Sequence, residues 1–150
     1  MRRLSLCDTL IKLDRNIRFV GIVNNKGEVI EGGFKQGIEP LLSGTDEQHM
    51  YIHSLSNLKT LQSYSDRLGV VRYSLTEHER VILMTFPLGD GILCLSAMPK
   101  ANTNKIRDKV MKVLKSRIGS RGHSSSTGNN KLTRKNNIKG EKAKKSKPKV

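Results

Sequence analysis

An α+β fold, with a five-stranded antiparallel sheet and helices on its faces, is predicted by the order of apolar patterns in this sequence of 150 residues. Short runs that are apolar on both faces predict strands, and apolar residues at helical spacing predict helices. The resulting order is helix, two strands, helix, three strands and helix. Packing helices on the faces of one sheet is the simplest arrangement that buries these apolar surfaces.

A short helix and a β-hairpin are predicted for the first part of the chain. Residues 4–15 place leucines at i, i+4 and i+7, which gives one apolar stripe. Residues 17–23 and 28–34 predict two strands, because the Asn-Asn-Lys-Gly segment between them favours a tight turn.

A long helix is predicted next, with Thr45 as its N-cap and Gly69 as its C-terminal stop. Three strands follow, and a last helix at residues 102–118 carries apolar residues on one face and lysines on the other. The predicted strands are 70–75, 80–86 and 92–98. Within the last two strands we expect four core residues, Val81, Leu83, Ile92 and Leu95.

The positive charge of the chain is concentrated at its C-terminal end. The net charge is +15, yet residues 1–101 hold 12 Lys/Arg against 11 Asp/Glu, while residues 119–150 hold 10 Lys/Arg and one Glu. The composition of residues 119–150 predicts a disordered lysine-rich tail after a folded domain at residues 1–118. Clustered lysines attract polyanions, including nucleic acid. The expected polyanion-binding residues are Lys142, Lys144, Lys145, Lys147 and Lys149.

The two cysteines indicate a reducing compartment. Cys7 and Cys94 are far apart in the chain and form no CxxC or Cys/His spacing. No run of residues approaches the roughly 20 apolar residues that span a bilayer. We therefore expect a cytoplasmic protein without disulfides.

The hairpin sequence IRFVGIVNNKGEVIEGGF and the paired strands ERVILMTFPLGDGILCLSAMP resemble the Roadblock/dynein light chain family, within the profilin-like and longin-like architectures. The chain also resembles small uncharacterised archaeal proteins of the same build. The likeness covers residues 4–118 and rests on element order and apolar texture. It implies a non-catalytic protein that dimerises and serves as a platform for small GTPases or motor complexes.

No catalytic, cofactor or metal site is expected from the residues. Gly32, Gly33 and Gly37 lie near a lysine, but GGFKQG lacks the spacing of a phosphate-binding loop, and a turn or strand end is the better interpretation. His49 and His53 share one face of a predicted helix without a third ligand, which favours a structural or surface role. His78 fits a solvated turn.

Three hypotheses follow for function. The first is a homodimeric regulatory or scaffold module with a protein partner, and its predicted interface combines the edge strand and the long helix through Tyr51, Leu55, Val71 and Tyr73. The second is a nucleic-acid-associated protein that works through its tail. The third is a PAS-like small-molecule sensor, which requires an internal cavity with convergent polar groups.

Overall fold

The computed structural model describes residues 4–117. The chain divides into two units, Met1–Val110 and Met111–Val150, and the sheet lies in the first. The C-terminal helix spans residues 103–117. Of the second unit, only residues 111–117 are described. The other elements are α1 (Leu6–Ile11), β1 (Ile17–Val23), β2 (Val29–Phe34), α2 (Gly44–Gln62), α3 (Ser65–Leu68), β3 (Ser74–Glu77), β4 (Ile82–Leu88) and β5 (Gly91–Ala97).

The five strands form one sheet in the order β2-β1-β5-β4-β3. Every neighbouring pair is antiparallel, and β1 and β2 form the predicted hairpin. The predicted α+β fold with a five-stranded antiparallel sheet is therefore confirmed. The strands β2 and β3 form the two edges, and β5 lies at the centre.

Local capping explains where the helices begin and end. Ser5 and Asp8 form a reciprocal capping box at the start of α1. The prediction of Thr45 as the cap of α2 is wrong, because Ser43 Oγ accepts a hydrogen bond from the Asp46 backbone N–H at 3.1 Å. The predicted long helix is broken, because α2 ends at Gln62, and Gly69, with a positive φ of 86°, ends the separate helix α3. None of the helices within residues 4–117 has the length and apolar character needed to cross a membrane.

One face of the sheet packs against α2. Phe19 and Val23 of β1, with Ile92 and Cys94 of β5, form a buried cluster with residues of the helix. Phe19 stacks on Tyr51 with 6.2 Å between ring centroids. The α2 residues of this cluster are Tyr51, Leu55 and Leu58.

The opposite face carries the alternate residues of the same strands. Directly paired residues in an antiparallel sheet point to the same side, so the pairing of Met84 with Leu95 and of Phe86 with Leu93 assigns these buried side chains to that face. Tyr73 stacks on Phe86 at 5.7 Å between ring centroids, and the guanidinium of Arg107 lies over Tyr73. The beginning of the C-terminal helix therefore lies on the side of the sheet opposite α2.

The strand β4 runs from Ile82 to Leu88 rather than from residue 80 to 86, and its two faces differ in burial. The expectation of four core residues is confirmed for Ile92 and Leu95 and is wrong for Val81 and Leu83, which are half-buried. The sequence did not predict this difference, because the strand is apolar on both faces although the rest of the chain buries one face more completely than the other.

The strand β3 is also shifted from its prediction. It spans Ser74–Glu77 instead of residues 70–75, and its pairing with β4 begins at Ser74 and Thr85. Val71 packs against the buried cluster under α2, and Tyr73 stacks on Phe86. Residues 70–73 are therefore a connection rather than a strand. Their alternating pattern arises because Val71 and Tyr73 pack against the domain while the residue before each of them is exposed.

Two substitutions on β4 test this assignment of faces. Phe86 is fully buried, whereas Leu83 on the same strand is half-buried. Phe86→Ala should lower the free energy of unfolding by about 3–5 kcal/mol, the range for a buried aromatic residue. Leu83→Ala should cost less than about 1.5 kcal/mol, since the removed atoms were already partly in water. Denaturant melts of both variants measure the difference, and equal losses would contradict the register of β4.

Candidate functional site

A β-bulge in β1 places Arg18 in an unusual position. Ile17 pairs with Ala97 and Phe19 pairs with Ser96, so Arg18 is an extra residue relative to β5. Bulges redirect side chains and are frequent beside functional sites. Arg18 is only 8% exposed. Its Nη2 donates a hydrogen bond to the Glu39 carbonyl at 2.8 Å, and its guanidinium lies 5.9 Å from the centre of the Phe34 ring.

Arg18 lines a cleft of about 280 Å³ between α2 and the sheet, here called the α2 cleft. The cleft exists because α2 packs over β1 and β5, while the α2-side residues of β4 remain half-covered. Its wall is mainly apolar, and its principal apolar residues are Phe19, Phe34, Met50, Val81 and Leu83.

Ser96 is the second buried polar residue of this cleft. It is 5% exposed, and its Oγ has no hydrogen-bond partner among the described residues. It pairs with Phe19 on one side and with Leu83 on the other, so it faces α2. Buried hydroxyls nearly always have a partner, and an orphan of this kind calls for an explanation.

Burial raises the pKa of three groups that line the α2 cleft, Glu47, Tyr51 and Cys94. Burial raises the pKa of the half-buried Glu47 carboxyl above its usual value. Burial, and secondarily the charge of Glu47, raises the pKa of Tyr51. Burial also raises the pKa of the Cys94 thiol to about 12, so this thiol is neutral at physiological pH and is a poor nucleophile. The cleft therefore has features of a binding site rather than of a nucleophilic site.

A second candidate region is the outer edge of β3, which has no neighbouring strand among the described residues. Large apolar side chains are exposed along the segment that leads into it and on β3 itself. Leu68 is 76% exposed and Val70 is 70% exposed. We call this region the β3-edge surface, and its residues are Leu61, Tyr64, Leu68, Val70 and Leu75.

The four residues predicted for a dimer interface lie elsewhere. Tyr51 and Leu55 are 4% and 6% exposed, within the cluster under α2. Val71 packs on the same cluster, and Tyr73 contacts both Phe86 and Arg107. Their contact with a second copy stays a prediction. Because their own chain covers much of them, exposed neighbours are better probes of an interface.

The remaining sequence motifs lie in ordinary structural positions. Gly32 and Gly33 belong to β2 and pair with β1, which supports the strand interpretation over a phosphate loop. His49 and His53 are exposed on α2. His78 lies in the turn between β3 and β4, where its backbone N–H bonds to the Val81 carbonyl, and it reaches the wall of the α2 cleft.

Within the described chain, no group of three His, Cys, Asp or Glu side chains could hold a metal ion. The lysines expected to bind polyanions lie outside the described residues, and they are Lys142, Lys144, Lys145, Lys147 and Lys149.

Sequence reasoning missed Arg18 and Ser96. Arg18 stands in a strand that is otherwise apolar, IRFVGIV, and a charged residue there is the one available signal. Charged residues are seldom fully buried without a partner. The bulge that directs it into the α2 cleft depends on pairing with β5, about 80 residues later in the chain, as the Phe19–Ser96 register shows.

Comparison with known sequences gives one family. A family model described as a family of unknown function (DUF6659) matches residues 4–120. No curated protein sequence matches the chain.

Solved structures that share this fold include a Roadblock/LC7 domain and MglB proteins. A Roadblock/LC7 domain from Streptomyces avermitilis is 21% identical, with a TM-score of 0.53 over 74% of this chain and 90% of that chain. The gliding protein MglB from Thermus thermophilus is 15% identical, with a TM-score of 0.57 over 78% of this chain and 87% of that one. A structure of MglB with a tetrameric arrangement is 16% identical, with a TM-score of 0.57 over 73% and 82%. The Roadblock-like fold predicted from the sequence is thus confirmed.

Proposed function

The chain belongs to the family of unknown function DUF6659, and we propose that it is a non-catalytic regulatory or scaffold module that forms a homodimer and binds a protein partner. The β3-edge surface is the observation that carries this proposal. Five exposed apolar side chains lie within 15 residues of sequence, Leu61 to Leu75, and this stretch includes β3, whose outer edge has no partner strand among the described residues. Exposed strand edges and apolar patches are typical of sites that bind other chains.

A twofold copy of the same chain fits this surface. Two antiparallel β3 strands can pair edge to edge, and the twofold axis then brings α2, α3 and the following residues of each copy together. The exposed Leu68 and Val70 would be covered by such an arrangement. A tetrameric arrangement is given for one MglB structure, which supports association as a use of the fold.

The partner class is proposed by analogy. Roadblock-like proteins serve as platforms for small GTPases, so a small GTPase is the first partner to test. A dimer would leave other exposed apolar residues for that partner, such as Ile30 on β2 and Leu41 before α2. We place this activity in the cytoplasm, where the thiols of Cys7 and Cys94 remain reduced.

Introducing a charge at the β3-edge surface tests the dimer. We expect the wild-type chain to be a dimer at micromolar concentration in high salt, which suppresses contributions from the basic tail. Leu68→Glu should raise the dimer dissociation constant at least about tenfold, because each interface would bury two unpaired carboxylates. Sedimentation equilibrium of the full chain measures the change.

The matched control is Ile30→Glu, which places the same charge on the opposite edge strand at a residue that is 63% exposed. This variant should retain the wild-type association. Since both positions are exposed in a single chain, both variants should fold with the circular dichroism spectrum of the wild type. A monomeric wild type, or equal disruption by the two variants, would rule out the β3-edge surface as the dimer interface.

Nucleic-acid association is the second candidate function. It is favoured by residues 119–150, which hold 10 Lys/Arg and one Glu, whereas residues 1–101 are nearly neutral. Binding would then depend on charge rather than on base sequence, because lysines contact phosphates as point charges.

Replacing five lysines tests the tail. If Lys142, Lys144, Lys145, Lys147 and Lys149 contact five phosphates, changing all five to Gln should reduce the salt dependence of duplex DNA binding. The slope of log K against log salt should become less negative by about 4 to 5. Changing the same five to Arg keeps the charge and should preserve the slope. Fluorescence anisotropy over a salt series measures both, and an unchanged slope in the Gln variant would exclude these lysines.

A further inference from the structure

The α2 cleft contains both of the buried polar residues found in the described chain, Arg18 and Ser96. They come from different strands, and both line the cleft. We propose that the α2 cleft binds a small monocarboxylate with a short apolar body, whose carboxylate is held by Arg18 and Ser96. This site is separate from the β3-edge surface.

Arg18 has donor capacity for an anion. A guanidinium has five N–H donors, and Arg18 uses one strong contact, to the Glu39 carbonyl. Among the described residues, Arg18 has no carboxylate within 4.0 Å of its guanidinium, whereas Arg107 forms an ion pair with Asp108. A buried cation without a counter-charge is unfavourable, so an anionic ligand would supply the missing partner.

Ser96 supplies a second polar contact. Its buried Oγ is unpartnered among the described residues and belongs to a side chain on the wall of the cleft. A hydroxyl can donate one hydrogen bond to a carboxylate oxygen. A carboxylate bound by Arg18 and Ser96 would satisfy both groups at once.

The rest of the wall indicates an apolar ligand body. Phe19, Phe34, Val81 and Leu83 line the cleft. Its volume of about 280 Å³ lies at the lower end of small-molecule sites, which span roughly 300–1,000 Å³. Such a wall, with a few convergent polar groups, is typical of a ligand pocket.

The charges in the cleft favour a single negative charge on the ligand. Arg18 is the one Lys or Arg among the lining residues, so a phosphate dianion would be left partly uncompensated. The planar guanidinium matches a carboxylate in a bidentate geometry. Glu47 also lines the cleft, but it is only half-buried and remains accessible to water, whereas Arg18 is 8% exposed. The competing ligand is a cationic amphiphile, whose ammonium group would bind the Glu47 carboxylate.

Calorimetric titration of the full chain with octanoate tests the proposal, in about 0.5 M salt to screen the basic tail. Octanoate should bind saturably at one site per chain. Octan-1-ol, which keeps the apolar body, and acetate, which keeps the carboxylate, should each bind at least about tenfold more weakly. Octylammonium binding more tightly than octanoate would overturn the proposal, as would equal binding of octanoate and octan-1-ol.

Matched arginine variants locate the carboxylate. Arg18→Gln should weaken octanoate binding at least about tenfold and leave octan-1-ol binding unchanged. Arg15→Gln removes the same charge three residues away at an exposed position and should bind octanoate like the wild type. Equal loss in the two variants would overturn the assignment to Arg18.

Leu83→Phe provides a test that does not depend on the folding of the Arg18 variant. It adds volume to a half-buried wall residue and should weaken octanoate and octan-1-ol together. Wild-type-like binding of both ligands in this variant would exclude the α2 cleft. If octanoate does not bind and Leu83→Phe changes the oligomeric state, a second copy occupies the cleft and the proposal is wrong.

Discussion

The packing of α2 over β1 and β5 is the constraint on which the rest of this structure depends. Phe19 stacks on Tyr51 and contacts Phe34 with 4.8 Å between ring centroids, which anchors the helix on this side of the sheet. Gly21 makes room for the Phe19 ring, since a Cβ at position 21 would lie 2.6 Å from the Phe19 ring. With the helix held there, the α2-side residues of β4 and the outer edge of β3 receive less cover from their own chain.

The two candidate sites follow from this uneven cover. Val81 and Leu83 remain half-buried and form one wall of the α2 cleft, while the bulge at Arg18 adds a buried cation to it. Farther along the sheet, β3 is short, and exposed apolar residues precede it. A regulatory module that binds another copy at one place and a small ligand at the other would use both regions. Coupling between them would require a conformational equilibrium that both partners bias.

The sequence predicted those features that depend on neighbouring residues. The hairpin at Ile17–Phe34 was predictable because strand pattern and turn residues lie within 18 positions. The shift of β3 was not predictable. The alternating pattern of Val71 and Tyr73 arises from their packing against residues distant in the sequence, not from a strand. The burial of Arg18 and Ser96 depends on the register between β1 and β5, and no local pattern encodes that register. Fold was therefore accessible from sequence, while the cleft was not.

Hydrogen exchange of the β3 amides at two protein concentrations tests most directly whether a second copy completes the uncovered side of the sheet. The amides of Ser74–Glu77 that point away from β4 should exchange rapidly in dilute protein and become protected at high concentration, when the edge gains a partner strand. Amides of β1 and β5, which lie between two strands, should be protected at both concentrations. Equally rapid exchange of the outward-pointing β3 amides at both concentrations, with β1 and β5 protected, would contradict pairing of β3 with a second copy.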